Sequence, residues 1–293
     1  IRFAHQTTLS EIRPPTIRQL TFAFPPLPEQ RKIASILWNV DDNIEKIDET
    51  IAKTEQLKKG LMQRLFTKGI GHTKFKKTKL GAIPVSWEVT KLGSILTKCQ
   101  YGLSLKLNTI GEGYPIFRMN NLEDGYVIAN NMKYVKINEK TFEDFKLEKG
   151  DILFNRTNSW DLVGKTGIFL LDGNYTFASY LIRIRIFPEK GAPRFINYYL
   201  NSDVVQKRLR SRSGRASGQT NINAGKLKSF IITLPQKTDE QHKIASILSA
   251  VDDKIQNLKQ KKEKLQLLKK GLMQVLLTGK VRVKINKRRN KNG

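Results

Sequence analysis

The chain has 293 residues, of which 39% are apolar and 9% aromatic, so it can bury a sizeable core and is neither disordered nor collagenous. Its 53 Lys and Arg residues outnumber 26 Asp and Glu residues, and the net charge of +27 indicates a polyanionic partner. No window approaches the roughly 18 consecutive apolar residues of a membrane span, so we expect a cytoplasmic protein. The single cysteine, Cys99, and three scattered histidines argue against a disulfide framework or a structural metal site in this chain.

The first long predicted element is a helix over residues 29–67, the first spacer helix, and it recurs near the end of the chain as a second helix over residues 236–278. Aligning residues 29–67 with residues 240–278 gives 22 identities in 39 pairs, which reveals an internal duplication. The similarity continues upstream of both helices. We therefore expect residues 1–28 to correspond to the end of the domain that precedes the second helix.

Both helices carry apolar residues at two positions of a heptad repeat, which is typical of a coiled coil. At about 1.5 Å per residue each helix would span roughly 58 Å, too long for a small domain to bury, so we expect the two helices to pair. Lapses in the pattern fall at Thr54, Lys58, Lys262 and Lys269. A pair of ordinary amphipathic core helices is the alternative. The residues predicted to pack across the pair are Ile33, Leu37, Val40, Ile44, Ile47, Ile51, Leu61, Ile244, Leu248, Val251, Ile255, Leu258, Leu265 and Leu272.

Between the helices, a basic linker over residues 68–80 leads into residues 81–235, which we call the central domain. Its short runs of β-branched and aromatic residues, separated by Gly, Asn and Asp, predict strands. Residues 194–212 have helical spacing, and residues 227–234 are predicted to form a closing strand. The pattern predicts a mixed α/β or α+β domain between two long helices, followed by a basic tail over residues 279–293.

Enzyme signatures are incomplete in this chain. Gly164, Lys165 and Thr166 look like the end of a phosphate-binding loop, but Ser159 occupies the position of the required upstream glycine and no suitable helix follows. The chain has no Asn/Asp-Pro-Pro-aromatic motif for amino-group methylation and no Gly-x-Ser-x-Gly elbow, and Cys99 has no nearby histidine. We therefore expect a non-catalytic protein.

Charge is unevenly distributed along the chain. Residues 204–238 carry eight Lys and Arg side chains and no carboxylate, and the Ser, Thr, Asn and Gln residues among them favour contact with phosphates and base edges. A solvated basic helix end and loop is the alternative. The carboxylate pairs Asp41–Asp42 and Asp252–Asp253 lie at matched points of the two helices, and we interpret them as helix-surface charges rather than as metal ligands.

Several segments together resemble the specificity subunit of type I restriction-modification enzymes. In chain order they are PPLPEQ (25–30), LMQ (61–63), GAIPVSWEV (81–89), KGDILFNRT (149–157) and LVGK (162–165). The resemblance covers essentially the whole chain and keeps the family's order. It implies an α+β fold, in which a mixed α/β target-recognition domain is flanked by two long antiparallel coiled-coil spacer helices.

The resemblance also implies a function. In that family two target-recognition domains each read half of a split double-stranded DNA target, and the spacer helices fix the distance between the halves. The helices dock two methyltransferase subunits that use S-adenosylmethionine, while restriction subunits use ATP and magnesium to translocate and cut DNA. This chain would then be a non-catalytic subunit that binds no cofactor itself, and residues 1–28 would be the C-terminal remnant of a first target-recognition domain.

Candidate DNA contacts divide into two classes, because phosphate contacts position a protein on DNA whereas base-edge contacts specify the sequence. The predicted phosphate contacts are Lys106, Lys165, Arg208, Arg210 and Arg212. The predicted base contacts are Arg118, Asn120, Asn121, Arg156, Thr157, Asn158, Ser159, Arg215, Gln219 and Asn221.

Two other functions remain open at this point. A half-type specificity subunit could homodimerise through the same helices and read a palindromic split site. A structural coiled-coil adaptor would account for the helices but leaves the acid-free stretch of residues 204–238 unexplained. A fused restriction and methylation enzyme would need catalytic motifs that this chain lacks.

Overall fold

The chain divides into two compact units in a computed structural model. The helical unit comprises residues 1–53 and 255–293, and the mixed unit comprises residues 54–254. Much of the predicted remnant over residues 1–28 and the end of the basic tail lie outside the described residues. The described residues are 5–6, 10–11, 18–19, 24–216 and 219–285.

Two long helices are present where the duplication predicts them. Helix α1 spans Leu27–Lys68 and helix α6 spans Thr238–Leu276. Ion pairs in the helical unit define how the helices run: Asp41 pairs with Lys269 at 2.5 Å, and Asp48 pairs with Lys262 at 2.6 Å. A step of seven residues forward along α1 therefore matches a step of seven residues back along α6, so the helices are antiparallel.

Three of the four lapses in the heptad pattern, all lysines, take part in ion pairs between the helices. Lys262 and Lys269 interrupt the apolar stripe of α6, and each reaches a carboxylate of α1. In the mixed unit Lys58 of α1 likewise pairs with Asp252 of α6 at 2.5 Å. The interpretation of Asp252 as a surface charge is therefore wrong, because this residue is only 8% exposed. Long lysine side chains fill the seam with their stems and neutralise a carboxylate with their ammonium groups.

The residues predicted to pack between the helices all lie toward the interior. None of the fourteen is exposed. The fully buried members are Ile33, Ile47, Ile244, Leu248 and Ile255.

The mixed unit contains most of the strands. Two short strands near the start of the chain, β1 (His5–Gln6) and β2 (Ser10–Glu11), belong instead to the helical unit and pair antiparallel. The strands of the first half of the mixed unit are β3 (Phe75–Thr78), β4 (Gly81–Pro84), β5 (Trp87–Lys91), β6 (Leu96–Tyr101), β7 (Tyr114–Phe117), β8 (Leu122–Glu123), β9 (Tyr126–Val127) and β10 (Lys133–Val135). Those of the second half are β11 (Ile152–Asn155), β12 (Thr157–Asn158), β13 (Thr166–Ile168), β14 (Thr176–Phe177), β15 (Leu181–Ile186), β16 (Gly214–Ala216), β17 (Gln219–Asn221) and β18 (Ile231–Pro235).

A six-stranded sheet forms the centre of this unit, with the strand order β6-β15-β11-β13-β9-β8. Short helices connect and cover the strands: α2 (Glu139–Phe145), α3 (Pro193–Asn201), α4 (Asp203–Ser211) and α5 (Ala224–Lys228). Strand β11 reads Ile-Leu-Phe-Asn and is buried throughout, as expected for a central strand covered on both faces. The main core joins Phe154 of β11 to Trp87, Phe195 and Leu248, each of which is fully buried.

The two ends of the central domain lie side by side. Strand β5 pairs antiparallel with β18 from Ile231↔Lys91 to Pro235↔Trp87. At the start of α6, Gln241 Nε2 donates to the Pro235 carbonyl at 2.9 Å, and Gln241 Oε1 accepts from the Ala192 amide at 2.9 Å. Because its entry and exit strands meet, the domain can be inserted between the two helices at one point of attachment.

Two local expectations were wrong. The helical segment 194–212 is two helices, because Ser202 adopts an extended backbone (φ −68°, ψ 144°) between α3 and α4, and its hydroxyl bonds to the Tyr199 carbonyl. The closing strand expected at 227–234 starts only at Ile231, since Asn223 caps the short helix α5 before it. Within the basic linker 68–80, strand β3 forms a hairpin with β4.

Among the described residues, no helix is both long enough and apolar enough to cross a lipid bilayer.

A substitution in the helix seam tests the pairing. Ile47 is 7% exposed in the helical unit, so Ile47→Asp would bury a carboxylate among apolar side chains and lower the free energy of unfolding by about 3 kcal/mol. Denaturant unfolding followed by circular dichroism measures this change. The matched control is Asn43→Asp, which adds the same charge at an exposed position of α1 and should change stability little. Equal effects of the two variants would contradict a packed seam at Ile47.

Candidate nucleic-acid interface

A small sheet, separate from the large one, gathers many of the predicted base contacts. Its strand order is β12-β17-β16, and its register places Thr157 opposite Asn221, Asn158 opposite Thr220, and Arg215 opposite Thr220. The backbones of residues that are about 60 positions apart in the chain are thus adjacent. The side chains of Arg215 and Gln219 lie outside what the structure describes.

Asn158 is the best-placed amide of this sheet. It is half-buried, its Oδ1 accepts from the Ser159 amide at 2.8 Å, and its Nδ2 lies 3.3 Å from Met119 Sδ. Thioether sulfur is a weak acceptor, so a base edge would be a better partner for that donor. Ser159 follows it as an exposed hydroxyl.

The loop after β12 is held from both sides. Val163 and Leu162 amides donate to the Ser159 carbonyl, and the Gly164 amide donates to the Asn155 carbonyl. Gly164 has a φ of 87°, which favours glycine and explains the Gly-Lys-Thr sequence by backbone geometry instead of phosphate binding. Strand β13, not a helix, follows it. The loop therefore presents its side chains on a fixed backbone.

Arg156 precedes this sheet and lies against an aromatic ring. Its guanidinium carbon is 4.9 Å from the centre of the Tyr101 ring, and its Nη1 donates to the Ser179 carbonyl at 3.3 Å. The Tyr101 hydroxyl accepts from the Ala224 amide at 2.8 Å. Tyr101 and the neighbouring Tyr180 are 40% and 47% exposed, and sequence reasoning missed both because an isolated tyrosine gives no motif.

A short turn over Arg118–Asn121 reaches the same surface through Met119. Arg118 is half-buried and its Nη2 donates to the Asn131 carbonyl at 2.8 Å, whereas Asn120 is exposed. The prediction of Asn121 as a base contact is wrong. Its side chain is fully buried, accepts from the Arg118 amide at 2.9 Å, and donates to the Asn130 carbonyl at 2.8 Å. Asn121 closes the turn and has no access to DNA.

Thr157 is also wrong as a base contact. It is 7% exposed, and its hydroxyl accepts from Asn221 Nδ2 at 2.7 Å. This bond joins β12 to β17 and engages the Asn221 amide as well. Thr157 and Asn221 thus stabilise the small sheet that also contains Asn158.

The predicted phosphate contacts fall into two groups. Lys106 is exposed, and Lys165 is half-buried with Nζ 3.5 Å from the Leu122 carbonyl. The three arginines make contacts within the central domain. Arg208 and Arg212 both lie over the Phe230 ring. Arg208 donates to the Ile231 carbonyl, Arg212 to the Ser229 carbonyl and Arg210 to the Asp161 carbonyl. Their positive charge remains, but their side chains also hold the domain together.

The described residues give little support for metal or nucleophile chemistry. They contain no group of three or more His, Cys, Asp or Glu side chains that could hold a metal ion. Burial raises the pKa of the Cys99 thiol, which keeps it protonated and poorly nucleophilic near neutral pH.

Comparison with known proteins places the chain in a family. The profile of the family described as type I restriction modification DNA specificity domain matches residues 1–56 and 84–267. The chain is 33% identical over 266 residues to the type I restriction enzyme MjaVIII specificity subunit of Methanocaldococcus jannaschii, which covers 89% of this chain and 62% of that protein. The chain thus spans about three fifths of the length of that relative.

Two solved structures share the fold at 18% sequence identity. The S subunit of a type I restriction-modification system from M. genitalium has a TM-score of 0.58 and covers 94% of this chain and 68% of its own. The second is a chain from a structure on complex assembly and conformational transition of the type I restriction-modification system. Its TM-score is 0.56, and the alignment covers 88% of this chain and 61% of that chain. These likenesses show the fold, and the family profile, which matches more than half of the chain, shows that the chain belongs to the type I restriction-modification DNA specificity family.

Proposed function

We propose that the central domain binds one half of a bipartite double-stranded DNA target. The observation that carries this proposal is the convergence of polar side chains from separate segments: Asn158 and Ser159 on the small sheet, Asn120 on the 118–121 turn, and Arg156 against Tyr101. Amide and guanidinium groups in a major groove distinguish base pairs by their donor and acceptor patterns. The surrounding excess of Lys and Arg supplies attraction to phosphate.

The paired helices have a different task in this proposal. They act as a ruler between two reading domains and as a docking scaffold for two methyltransferase subunits. The antiparallel register of α1 and α6 supports this role, because the ion pairs Asp41–Lys269 and Asp48–Lys262 favour this register over shifted ones. Spacing between half-sites then follows from helix length, as it follows from dimer geometry in other DNA-binding proteins.

Catalysis is assigned to other subunits. Methyl transfer from S-adenosylmethionine would belong to the methyltransferase subunits, and ATP- and magnesium-dependent translocation and cleavage would belong to restriction subunits. The incomplete enzyme signatures of the sequence support this division.

The first prediction separates base contacts from phosphate contacts. Asn158→Ala should weaken binding to the target half-site by about 1 to 3 kcal/mol and leave binding to scrambled DNA nearly unchanged, because it removes the amide that would contact a base and changes no charge. Lys106→Ala should weaken both equally and reduce the salt dependence by about one unit. Competition binding at two salt concentrations measures both effects, with the target taken from methylome sequencing with and without the gene. Equal losses on both duplexes for Asn158→Ala would contradict its role as a base contact.

The neighbouring asparagines of the 118–121 turn provide a matched comparison. Asn121→Ala removes a buried amide and leaves backbone groups unsatisfied, so it should destabilise the central domain by about 1 to 3 kcal/mol in denaturant unfolding. Asn120→Ala, at an exposed position, should leave stability unchanged and weaken only target binding. A stable Asn121→Ala variant that loses sequence preference would restore Asn121 as a base contact.

A third prediction concerns the isolated chain. Supplied with DNA, S-adenosylmethionine, ATP and magnesium, it should bind DNA but neither methylate nor cut it. Methylation should appear when methyltransferase subunits are added. Radiolabelled methyl transfer and plasmid cleavage measure this, and either activity in a preparation shown to be free of partner subunits would overturn the assignment.

A further inference from the structure

One carboxylate of α6 receives donors from three other elements of the mixed unit. Asp252 Oδ2 accepts from the Tyr198 hydroxyl at 2.6 Å and from the Tyr126 hydroxyl at 3.1 Å. Asp252 Oδ1 lies 2.5 Å from Lys58 Nζ. Tyr198 belongs to α3, Tyr126 to β9 and Lys58 to α1, so a single side chain joins both long helices to two elements of the central domain.

This cluster is buried and its groups complement one another. Asp252 and Tyr198 are 8% and 4% exposed, and the two tyrosine oxygens lie 3.0 Å apart. Lys58 Nζ also lies 5.4 Å from the centre of the Tyr198 ring. Burial and the bond to Asp252 raise the pKa of the Tyr198 hydroxyl, so it stays protonated and keeps donating. A buried carboxylate is tolerated only with such partners.

The duplication supplies an internal comparison. Asp41 and Lys269 are the equivalents of Asp252 and Lys58, and they form the same ion pair at 2.5 Å in the helical unit. The Asp41 side chain is 44% exposed, whereas that of Asp252 is 10% exposed. The ion pair is therefore a product of helix pairing, and what distinguishes Asp252 is its contact with the tyrosines of the central domain.

Asp252 contacts the central domain further along α6 than Gln241, Ile244 and Leu248 do. Gln241 bonds to the domain at the start of the helix, and Ile244 and Leu248 pack into its core. Asp252 lies about 16 Å beyond Gln241 at 1.5 Å per residue. Contacts along the whole of this segment hold the domain in a narrower range of orientations than contacts limited to its first two turns.

We propose that Asp252 is a positioning residue that fixes the orientation of the central domain on α1 and α6 within the mixed unit. If the proposed function holds, this orientation sets the spacer length that the assembled enzyme accepts in its DNA target. Loss of the carboxylate contact would leave the domain folded and attached through Gln241, Ile244 and Leu248, which all precede Asp252 on α6, and the orientation of the domain would then vary more widely. DNA sites with a spacer one base pair too long or too short would then become substrates.

The orientation is testable without DNA. Spin labels at Lys59→Cys on α1 and Lys207→Cys on α4, both exposed positions, report the distance between helix and domain in a Cys99→Ser background. Asp252→Asn, and separately Tyr126→Phe with Tyr198→Phe, should broaden the distance distribution by about twofold. The controls are the exposed neighbour Asp253→Asn and the equivalent Asp41→Asn, which should leave it narrow. The double phenylalanine variant removes only two hydroxyl oxygen atoms, so it replaces Asp252→Asn in the test if that variant does not fold. Distance distributions that stay narrow in folded variants would overturn the proposal.

The functional consequence is measured on the complex with methyltransferase subunits. Methylation of the target is compared with methylation of sites whose spacer is one base pair longer or shorter. Wild type and Asp253→Asn should select one spacer, and Asp252→Asn should lose at least about tenfold of that selectivity while keeping both half-site sequences. Unchanged spacer selectivity would overturn the link to DNA spacing. A wild-type complex with no sequence preference would instead contradict the proposed function, and the spin-label distances would still decide the role of Asp252.

Discussion

The antiparallel register of α1 and α6 is the constraint on which the rest of the molecule depends. Two helices that share 22 of 39 aligned residues and pair antiparallel can make the same contact twice, once with each helix in each role. Lys58–Asp252 and Lys269–Asp41 are such a pair of contacts, one in each unit. A lysine at a heptad core position weakens apolar packing but rejects registers in which it meets no carboxylate, which is how polar residues specify register in coiled coils.

The central domain joins the two helices through its two ends, which lie close together. Pairing of β5 with β18 brings entry and exit together, and Trp87 of β5 donates from its indole Nε1 to Glu240 at the start of α6, 3.3 Å away. His72, after the end of α1, contacts the same carboxylate at 2.8 Å. The junction is thus held by side chains at the start of α6, in β5 and after α1, so the proposed DNA-binding surface on the small sheet can differ without altering the helices.

The sequence predicts the helices and their pairing because periodicity and duplication are properties of the sequence alone. It does not predict the break at Ser202, since a residue tolerated within helices ends one here through its bond to the Tyr199 carbonyl. The ion pairs escape prediction for a related reason. Lys58 and Lys269 look like failures of the heptad until the antiparallel register shows which carboxylates they meet.

The candidate site shows the same division between local and long-range information. Asn120, Asn121 and Asn158 have the same side chain and are all predicted to contact bases. The Asn121 amide, however, is hydrogen-bonded to backbone groups of residues 118 and 130, whereas Asn120 is exposed. A buried amide must satisfy its donors and acceptors inside the protein, so every bond that fixes Asn121 removes it from DNA. A residue that contacts a base needs a fixed backbone together with a side-chain donor or acceptor that is still free to bond to the base. Asn158 meets that requirement among the described residues, because strand pairing holds its main chain while its Nδ2 faces the weak sulfur acceptor of Met119.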